Sequence, residues 1–358
     1  MVNFDAFKVA HQKYKQEEMP FLWQSRTQAI HKKPYSGLKI LQNIPLTMES
    51  VLKIEPLVLG GAEVTVSNIM SMPPEKKALD ILKAANINIQ LEHVYIRDEY
   101  DFCLDCCGEL LGVISPRRGA VELTQTGTIK YKNSNLTYPL ISIDDSKIKL
   151  LETFFGSADA FIRAFLHVTR QELVNKCVVI FGGGRIGKGI AFQLKHYTNN
   201  ISIIDVSDVP EKFLNLCKVN FINGLQHNLV NDKIKQADII VTVTGVKNVI
   251  SEFYNFNKAD FHNAILINMG AEDEYGKNFS LQDVLFDKKP FNFMLAEPTK
   301  MKYLDPVFYA HNMAIDLLLS GKFSAGYHAL PNTLAQEILD KWILLHNENI
   351  NELLTYVL

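Results

Sequence analysis

Short apolar runs alternate with amphipathic stretches along most of this chain. LKILQNIPL (38–46) reads as a strand, and MESVLKIEPLVLGG (48–61) has helical spacing closed by a glycine pair, a common helix stop. AEVTVSNI (62–69) predicts another strand. PEKKALDILKAANI (74–87) opens on proline and sets Ala78, Ile81, Leu82 and Ala85 at i, i+3, i+4, i+7, which predicts a helix. A strong helix is expected over 150–170, where Phe154, Ala158, Phe161, Ile162 and Phe165 form one apolar stripe. Strand signals then resume. CVVIF (177–181), NISIID (200–205), DIIVTV (238–243), NAILINM (263–269) and FMLAE (293–297) are expected to be five strands of a second sheet. Helix returns over 308–322 and in the amphipathic end, AQEILDKWILLHNENINELLTYVL (335–358). Repeated strand–helix–strand order implies parallel sheets with helices on their faces.

Length turns this into two domains, because 358 residues exceed one typical core. No repeat, low-complexity tract or long linker separates them. A net charge of -2 gives no basic surplus for nucleic acid or an anionic membrane. The apolar runs are too short to span a bilayer. The polar N-terminus, MVNFDAFKVAHQKYKQEE, carries no apolar signal core or cleavage site, so a cytoplasmic protein is expected. Five cysteines, three of them crowded as Cys103, Cys106 and Cys107, read as reduced thiols rather than a disulfide framework.

The sharpest chemistry lies in VVIFGGGRIGKGIAFQLKHYTNNISIID (178–205), which sets Gly182, Gly184 and Gly187 in G-x-G-x-x-G spacing between a buried strand and a helix. Gly182 permits the tight turn. Gly184 lets backbone approach a pyrophosphate, and Gly187 lets helix pack on strand. The helix start, with Arg185 and Ile186 in the same loop, offers unpaired N–H groups to phosphates. Asp205 ends the next strand eighteen residues past Gly187, placed to accept hydrogen bonds from a ribose. It would repel a 2′-phosphate, which favours NAD over NADP.

With that loop in place, a wider pattern emerges. EEMPFLWQSR (17–26), LTMESVL (46–52), VELTQTG (121–127), ISIDDSKIK (141–149), the glycine loop, TVTG (242–245), NMG (268–270), LAE (295–297) and YHALP (327–331) follow one another in the order of similar segments in the S-adenosylhomocysteine hydrolases, the adenosylhomocysteinases. The chain resembles that family from about residue 17 to residue 340. The resemblance implies an α/β fold of two doubly wound parallel-sheet domains. A substrate domain (1–149, with about 308–358 returning to it) would precede an NAD-binding Rossmann domain (150–307), with C-terminal helices packing back on the first. It also implies a reaction. NAD oxidises a ribose hydroxyl, the ketone acidifies a neighbouring C–H, a thiol is eliminated, water adds, and the ketone is reduced again.

Carried over residue by residue, the resemblance keeps the cofactor side. Gly182, Gly184, Gly187, Asp205, Thr244, Met269 and Gly270 match it. Thr124 and Thr126 match two nicotinamide-side threonines, with Gln125 between them. The substrate side changes. Pro45, Leu123 and Ala271 stand where the family has polar groups, Cys106 and Asp305 replace an aspartate and a histidine, and the basic tail ending in tyrosine is absent. Asp105, Thr47 and Glu49 remain, the last two at positions near the adenine. Lys149 is the best match to the family's lysine base, with Lys147 competing because the segment is one residue shorter, and Glu152 or Thr153 stands at the aspartate that follows.

Each of these residues also has a plainer reading. C-x-x-C-C can be a packed turn or a redox pair, and it lacks the partner motif of a zinc site, so no metal is expected. Asp305 can act as acid or base, or cap a helix beginning at Pro306. Arg117 and Arg118 can clamp a carboxylate or hold structure, and His311 reads as a core or surface histidine. The reading that follows is an NAD-dependent enzyme of this family with a rebuilt substrate site, transferring hydride at a carbinol of a small substrate. Its candidate catalytic residues are Lys149, Cys106, Asp105 and Asp305, and a homodimer is expected. The alternatives are a non-catalytic NAD-binding regulatory relative and an authentic adenosylhomocysteine hydrolase.

Overall fold

A computed structural model describes residues 2–348, 350, 353, 354 and 356. In chain order its strands are β1 Lys39–Asn43, β2 Glu63–Ser67, β3 Asn88–Ile89, β4 Phe102–Asp105, β5 Gly119–Glu122, β6 Pro139–Ser142, β7 Val178–Phe181, β8 Ile201–Asp205, β9 Asn220–Asn223, β10 Ile239–Thr242, β11 Ile265–Asn268 and β12 Gly326–Ala329. They form two sheets, both wholly parallel. The chain divides into two compact units, one built from Met1–Lys149 and Met301–Glu348, the other around Leu150–Lys300.

The first unit carries the order β12-β6-β5-β4-β1-β2-β3. The chain runs outward from β1 to β3 on one side and from β4 to β12 on the other, so the direction of winding reverses between β1 and β4. Ile40 pairs with Val64 on one flank and Phe102 on the other. Every residue of β4 and β5 is buried, as strands covered on both faces require. The second unit has the order β11-β10-β7-β8-β9, reversing between β7 and β10. In open sheets of this kind, ligands bind beyond the carboxyl ends of the strands at such a reversal.

The expected strand FMLAE is instead a 3-10 turn, Phe291–Met294, and the fifth strand of this sheet is Asn220–Asn223. That edge strand is short and only partly buried, so it lacks the apolar run that marks its neighbours. The long helix expected over 150–170 begins as a wide π turn, Leu151–Gly156, before the regular helix Ser157–Thr169. Gly189, on the Arg185–Leu194 helix, packs against the carbonyl of Phe154 in that turn, and any side chain at 189 would collide with it.

The helix expected over 308–322 runs from Met301 to Leu319, with Pro306 inside it. Proline lacks an N–H and leaves the carbonyl four residues earlier without its helical partner. That carbonyl belongs to Lys302, and the Trp342 indole N–H donates to it at 2.7 Å. Trp342→Phe keeps the bulk but removes the donor, and is expected to cost about 1–3 kcal/mol. A fall in the denaturant midpoint without a change in slope would show it. Trp342 lies on the Asn332–His346 helix. The remainder of the amphipathic end, at 349, 351, 352, 355, 357 and 358, lies outside the described residues. The Met301–Leu319 helix packs on the Pro20–Lys32 and Met48–Leu59 helices, so C-terminal chain contacts the N-terminal region. Among the described residues no helix is long and apolar enough to cross a membrane.

Candidate functional site

The glycine loop follows β7 at the point where the second sheet reverses. Gly182 holds φ +112°, and a Cβ there would meet the Val243 carbonyl. A Cβ on Gly187 would run into the Gly182 carbonyl. At Gly184 a Cβ would meet nothing within 4 Å. Two of the glycines are therefore demanded by packing, while the third borders open space. Gly184 is also the N-cap of the Arg185–Leu194 helix, and no side chain caps that helix. Asp205 ends β8 and accepts from the Gly183 amide at 2.5 Å and the Ser207 amide at 2.8 Å, which hangs its carboxylate beside the loop. Ile186 and Arg185 form the first turn of the helix. An open glycine edge, an uncapped helix start and an acidic strand end fit a dinucleotide, with phosphates at the helix and ribose at Asp205.

Thr244, Met269 and Gly270 follow β10 and β11. Their organiser is Glu274, a buried residue the sequence reading missed. It accepts from the Thr244 amide and hydroxyl, both at 2.8 Å, and from the Gly245 amide at 2.7 Å. A Cβ at Gly270 would strike the Glu274 side chain and force it to shift from these bonds. The Met269 amide donates to Thr242 at 2.8 Å. Burial raises the Glu274 carboxyl, opposed by these donors.

In the first unit, the ends of β4 and β5 build a buried acidic turn. Asp105 accepts from Asn43 at 3.0 Å, the Cys106 amide at 2.8 Å, the Leu110 amide at 3.0 Å and the Tyr131 hydroxyl at 2.7 Å. Glu122, also unremarked in the sequence, accepts from the amides of Cys107, Gly108 and Thr124 and from the Thr124 hydroxyl. Burial and then Asp105 push its carboxyl up to about 8, against those donors. Thr124 caps the Gln125–Lys132 helix, and Gln125 and Thr126 stand exposed at its start. Cys106 is buried, and its sulfur lies 3.8 Å from that of the partly exposed Cys107.

The least expected group is Lys53. It is fully buried, and its ammonium position contacts two neutral oxygens, Gln42 Oε1 at 2.5 Å and Asn312 Oδ1 at 2.8 Å. Burial drives its pKa well below the ordinary lysine value, with Cys106 pulling weakly the other way. His311 is equally buried, with Nε2 donating to the Val121 carbonyl at 3.1 Å and Nδ1 without a partner. Burial, then Lys53, then Lys149 depress it. The buried Lys149 in turn acts on Cys106. Lys53, Lys149, His311 and Cys106 thus share one electrostatic neighbourhood. No sequence signal set Lys53 apart from Glu49 and Glu55 in the same helix, every residue of which the fold buries.

Other candidates serve the framework of the first unit. Asp305 is a cap, but not of a helix at Pro306. Its two oxygens accept from the amides of Phe21 and Leu22, both at 2.8 Å, at the start of the Pro20–Lys32 helix, where Met19 offers no cap of its own. Thr47 caps the Met48–Leu59 helix. Glu49 accepts from Lys13 at 3.1 Å and from the Tyr14 hydroxyl. Burial would raise its carboxyl, but Thr47, Tyr14 and Lys13 together hold it below the usual value. Arg117 pairs with exposed Glu99, and Arg118 stands over the Phe102 ring. Among the described residues no cluster of three or more His, Cys, Asp or Glu is placed to hold a metal ion.

Comparison with known proteins agrees with this geometry. Residues 153–288 match the S-adenosyl-L-homocysteine hydrolase NAD-binding domain. The chain is similar to the adenosylhomocysteinase of Nostoc sp. at 24% identity, over 90% of this chain and 86% of that protein. The adenosylhomocysteinase of Thermoplasma volcanium is also 24% identical, over 72% of this chain and 67% of its own length. The dipicolinate synthase A chain of Bacillus subtilis superposes at a TM-score of 0.49 with 9% identity, covering 80% of this chain and 98% of that one. That last likeness is too loose to carry an argument. With the glycine loop and the strand order in accord, the chain is distantly similar to the adenosylhomocysteinases over most of its length and matches their NAD-binding domain over 153–288.

Proposed function

We propose that this protein is an NAD-dependent enzyme that oxidises a carbinol carbon of a small substrate other than adenosylhomocysteine. The observation that carries the catalytic reading is Lys53. Burying an amine between neutral amides costs stability, and a chain kept only as a scaffold gains nothing from it. Gly182, Gly184, Gly187 and Asp205 would hold the dinucleotide, whose nicotinamide supplies the hydride acceptor when bound. Thr244, fixed by Glu274, and Met269 would line its ring.

Lys149 is the proposed base that takes the hydroxyl proton as the carbon is oxidised. Asp105 and Cys106 are proposed beside it, Asp105 through the turn it anchors. A different substrate follows from the exchanges at Pro45, Leu123 and Ala271, whose side chains neither donate nor accept a proton.

Freshly purified protein tests this directly. It is denatured and any released nucleotide identified by mass. NAD-loaded protein is then titrated with adenosine, adenosylhomocysteine and a panel of small hydroxy compounds while the reduced-nicotinamide absorbance is followed. A panel compound, and neither nucleoside, should produce the band. Lys149→Ala should keep the nucleotide and slow the band's appearance about 100-fold or more. A silent panel, or an unchanged rate in Lys149→Ala, defeats the proposal.

A further inference from the structure

We propose that Cys106 and Cys107 are a redox pair driven by a hydroperoxide, in which Cys107 is the thiol oxidised and Cys106 the thiol that closes on it. The two sulfurs lie 3.8 Å apart. Their backbone is pinned from both sides, because the amide of Cys106 donates to Asp105 at 2.8 Å and that of Gly108 to Glu122 at 3.1 Å. Cys107 itself donates to Glu122 at 3.1 Å and Thr124 at 2.9 Å, and Lys130 Nζ holds its carbonyl at 2.8 Å. It adopts φ +66°, a left-handed conformation uncommon outside glycine.

The two thiols are also unlike. Cys107 is partly exposed and Cys106 buried. The hydrogen bond with Cys106 brings the Cys107 thiol down to about 7, helped by Thr124 and opposed by burial, Glu109 and Asp105. The same hydrogen bond, burial and the charges of Cys107 and Glu122 push Cys106 up, so it stays protonated. A reactive thiolate at the surface beside a protonated thiol behind it is the division of labour that peroxide-reacting pairs need.

The chemistry balances without a metal or a cofactor. The Cys107 thiolate attacks one oxygen of the hydroperoxide, the O–O bond breaks, and the alkoxide or hydroxide leaves and takes up a proton. Cys107 is then a sulfenic acid, oxidised by two electrons. Cys106 sulfur attacks the Cys107 sulfur, the S–O bond breaks, and hydroxide departs with the Cys106 proton as water. Neighbouring α-carbons sit about 3.8 Å apart, shorter than the roughly 4.4–6.8 Å that a disulfide prefers. The ring is strained and readily reduced, as a reversible switch should be. Its closure moves Cys107, whose amide anchors Glu122 and Thr124, and so disturbs the loop that carries Gln125 and Thr126. None of this depends on the hydride-transfer reading.

Reduced full-length protein is treated with hydrogen peroxide, denatured, and its thiols counted by alkylation and mass. Two of the five thiols should vanish, with an intact mass lower by two hydrogens, a peptide mapping the loss to Cys106 and Cys107, and full recovery on adding dithiothreitol. In Cys106→Ser, Cys107 should gain one oxygen, trapped by dimedone. In Cys107→Ser, Cys106 should stay unoxidised at the same dose. Retention of all five thiols by the wild-type chain overturns the proposal. So does oxygen gain without a disulfide, or a bond to any other cysteine or chain. The wild-type result decides alone if a variant fails to fold.

Discussion

Gly187→Val should abolish nucleotide retention and destabilise the Leu150–Lys300 unit by about 3 kcal/mol or more. The added Cβ would collide with the Gly182 carbonyl and press on Val243 Cγ1 at 3.3 Å. The loop has no slack to absorb this. Gly182 sits at φ +112° with the Val243 carbonyl close beside its α-carbon, where a Cβ would strike it. Helix and strand must separate instead, and with them the helix N-terminus from Asp205. Gly184→Ala is the informative companion. Its φ is -72° and the space beside it is empty, so the chain should fold with an unchanged melting temperature and still lose nucleotide. Thermal melting paired with mass analysis of released nucleotide separates the two. A Gly187→Val protein that retains its nucleotide would show that strand and helix need not touch here.

Lys53→Met should both lower stability and flatten its dependence on pH. The folded pKa of Lys53 lies well below 10.5 because burial penalises the ammonium. Between that folded value and 10.5, the unfolded chain holds a proton that the folded chain does not. Stability therefore rises with pH across the window, by about 1.4 kcal/mol per unit for this one group, and is lost as pH falls through the folded pKa. Methionine carries no proton, so its variant lacks this slope. The variant also leaves Gln42 and Asn312 oxygens short of a donor, at about 1–3 kcal/mol each. That penalty does not depend on pH, so it shifts the curve without tilting it. Groups not coupled to Lys53, such as Tyr138 with its hydroxyl raised to about 12, act in both proteins and cancel. Urea unfolding of both proteins from neutrality to about pH 10 gives the comparison. Parallel curves would mean that Lys53 is charged in the fold, and the argument for a catalytic cluster would lose its main support.

A readable site and an unreadable one thus stand in the same chain. The dinucleotide loop could be read because its requirements are local. Turn, helix start and strand end fall within residues 178–205, and each follows from backbone sterics a few residues away. The same locality made the helices at 48–61 and 74–87 legible, since an apolar stripe needs only its own period. Where the period was weak, the reading failed. The half-polar edge strand Asn220–Asn223 carries no strand signal, and the apolar run FMLAE carries one without forming a strand.

What only the tertiary structure decided are the roles of charged residues. Asp305 and Lys53 each sit among apolar residues in a helix that carries two other charges, Lys302 and Asp316 in one and Glu49 and Glu55 in the other. Asp305 proves to be satisfied by two amides 283 and 284 residues away in sequence, which makes it a clamp. Lys53 meets a carboxamide 259 residues away and no carboxylate, which leaves its amine short of a counter-charge. A backbone angle is limited by atoms on its own residue and the next. The ionisation of a side chain depends on every group the fold brings around it, and that set comes into being only when distant segments pack.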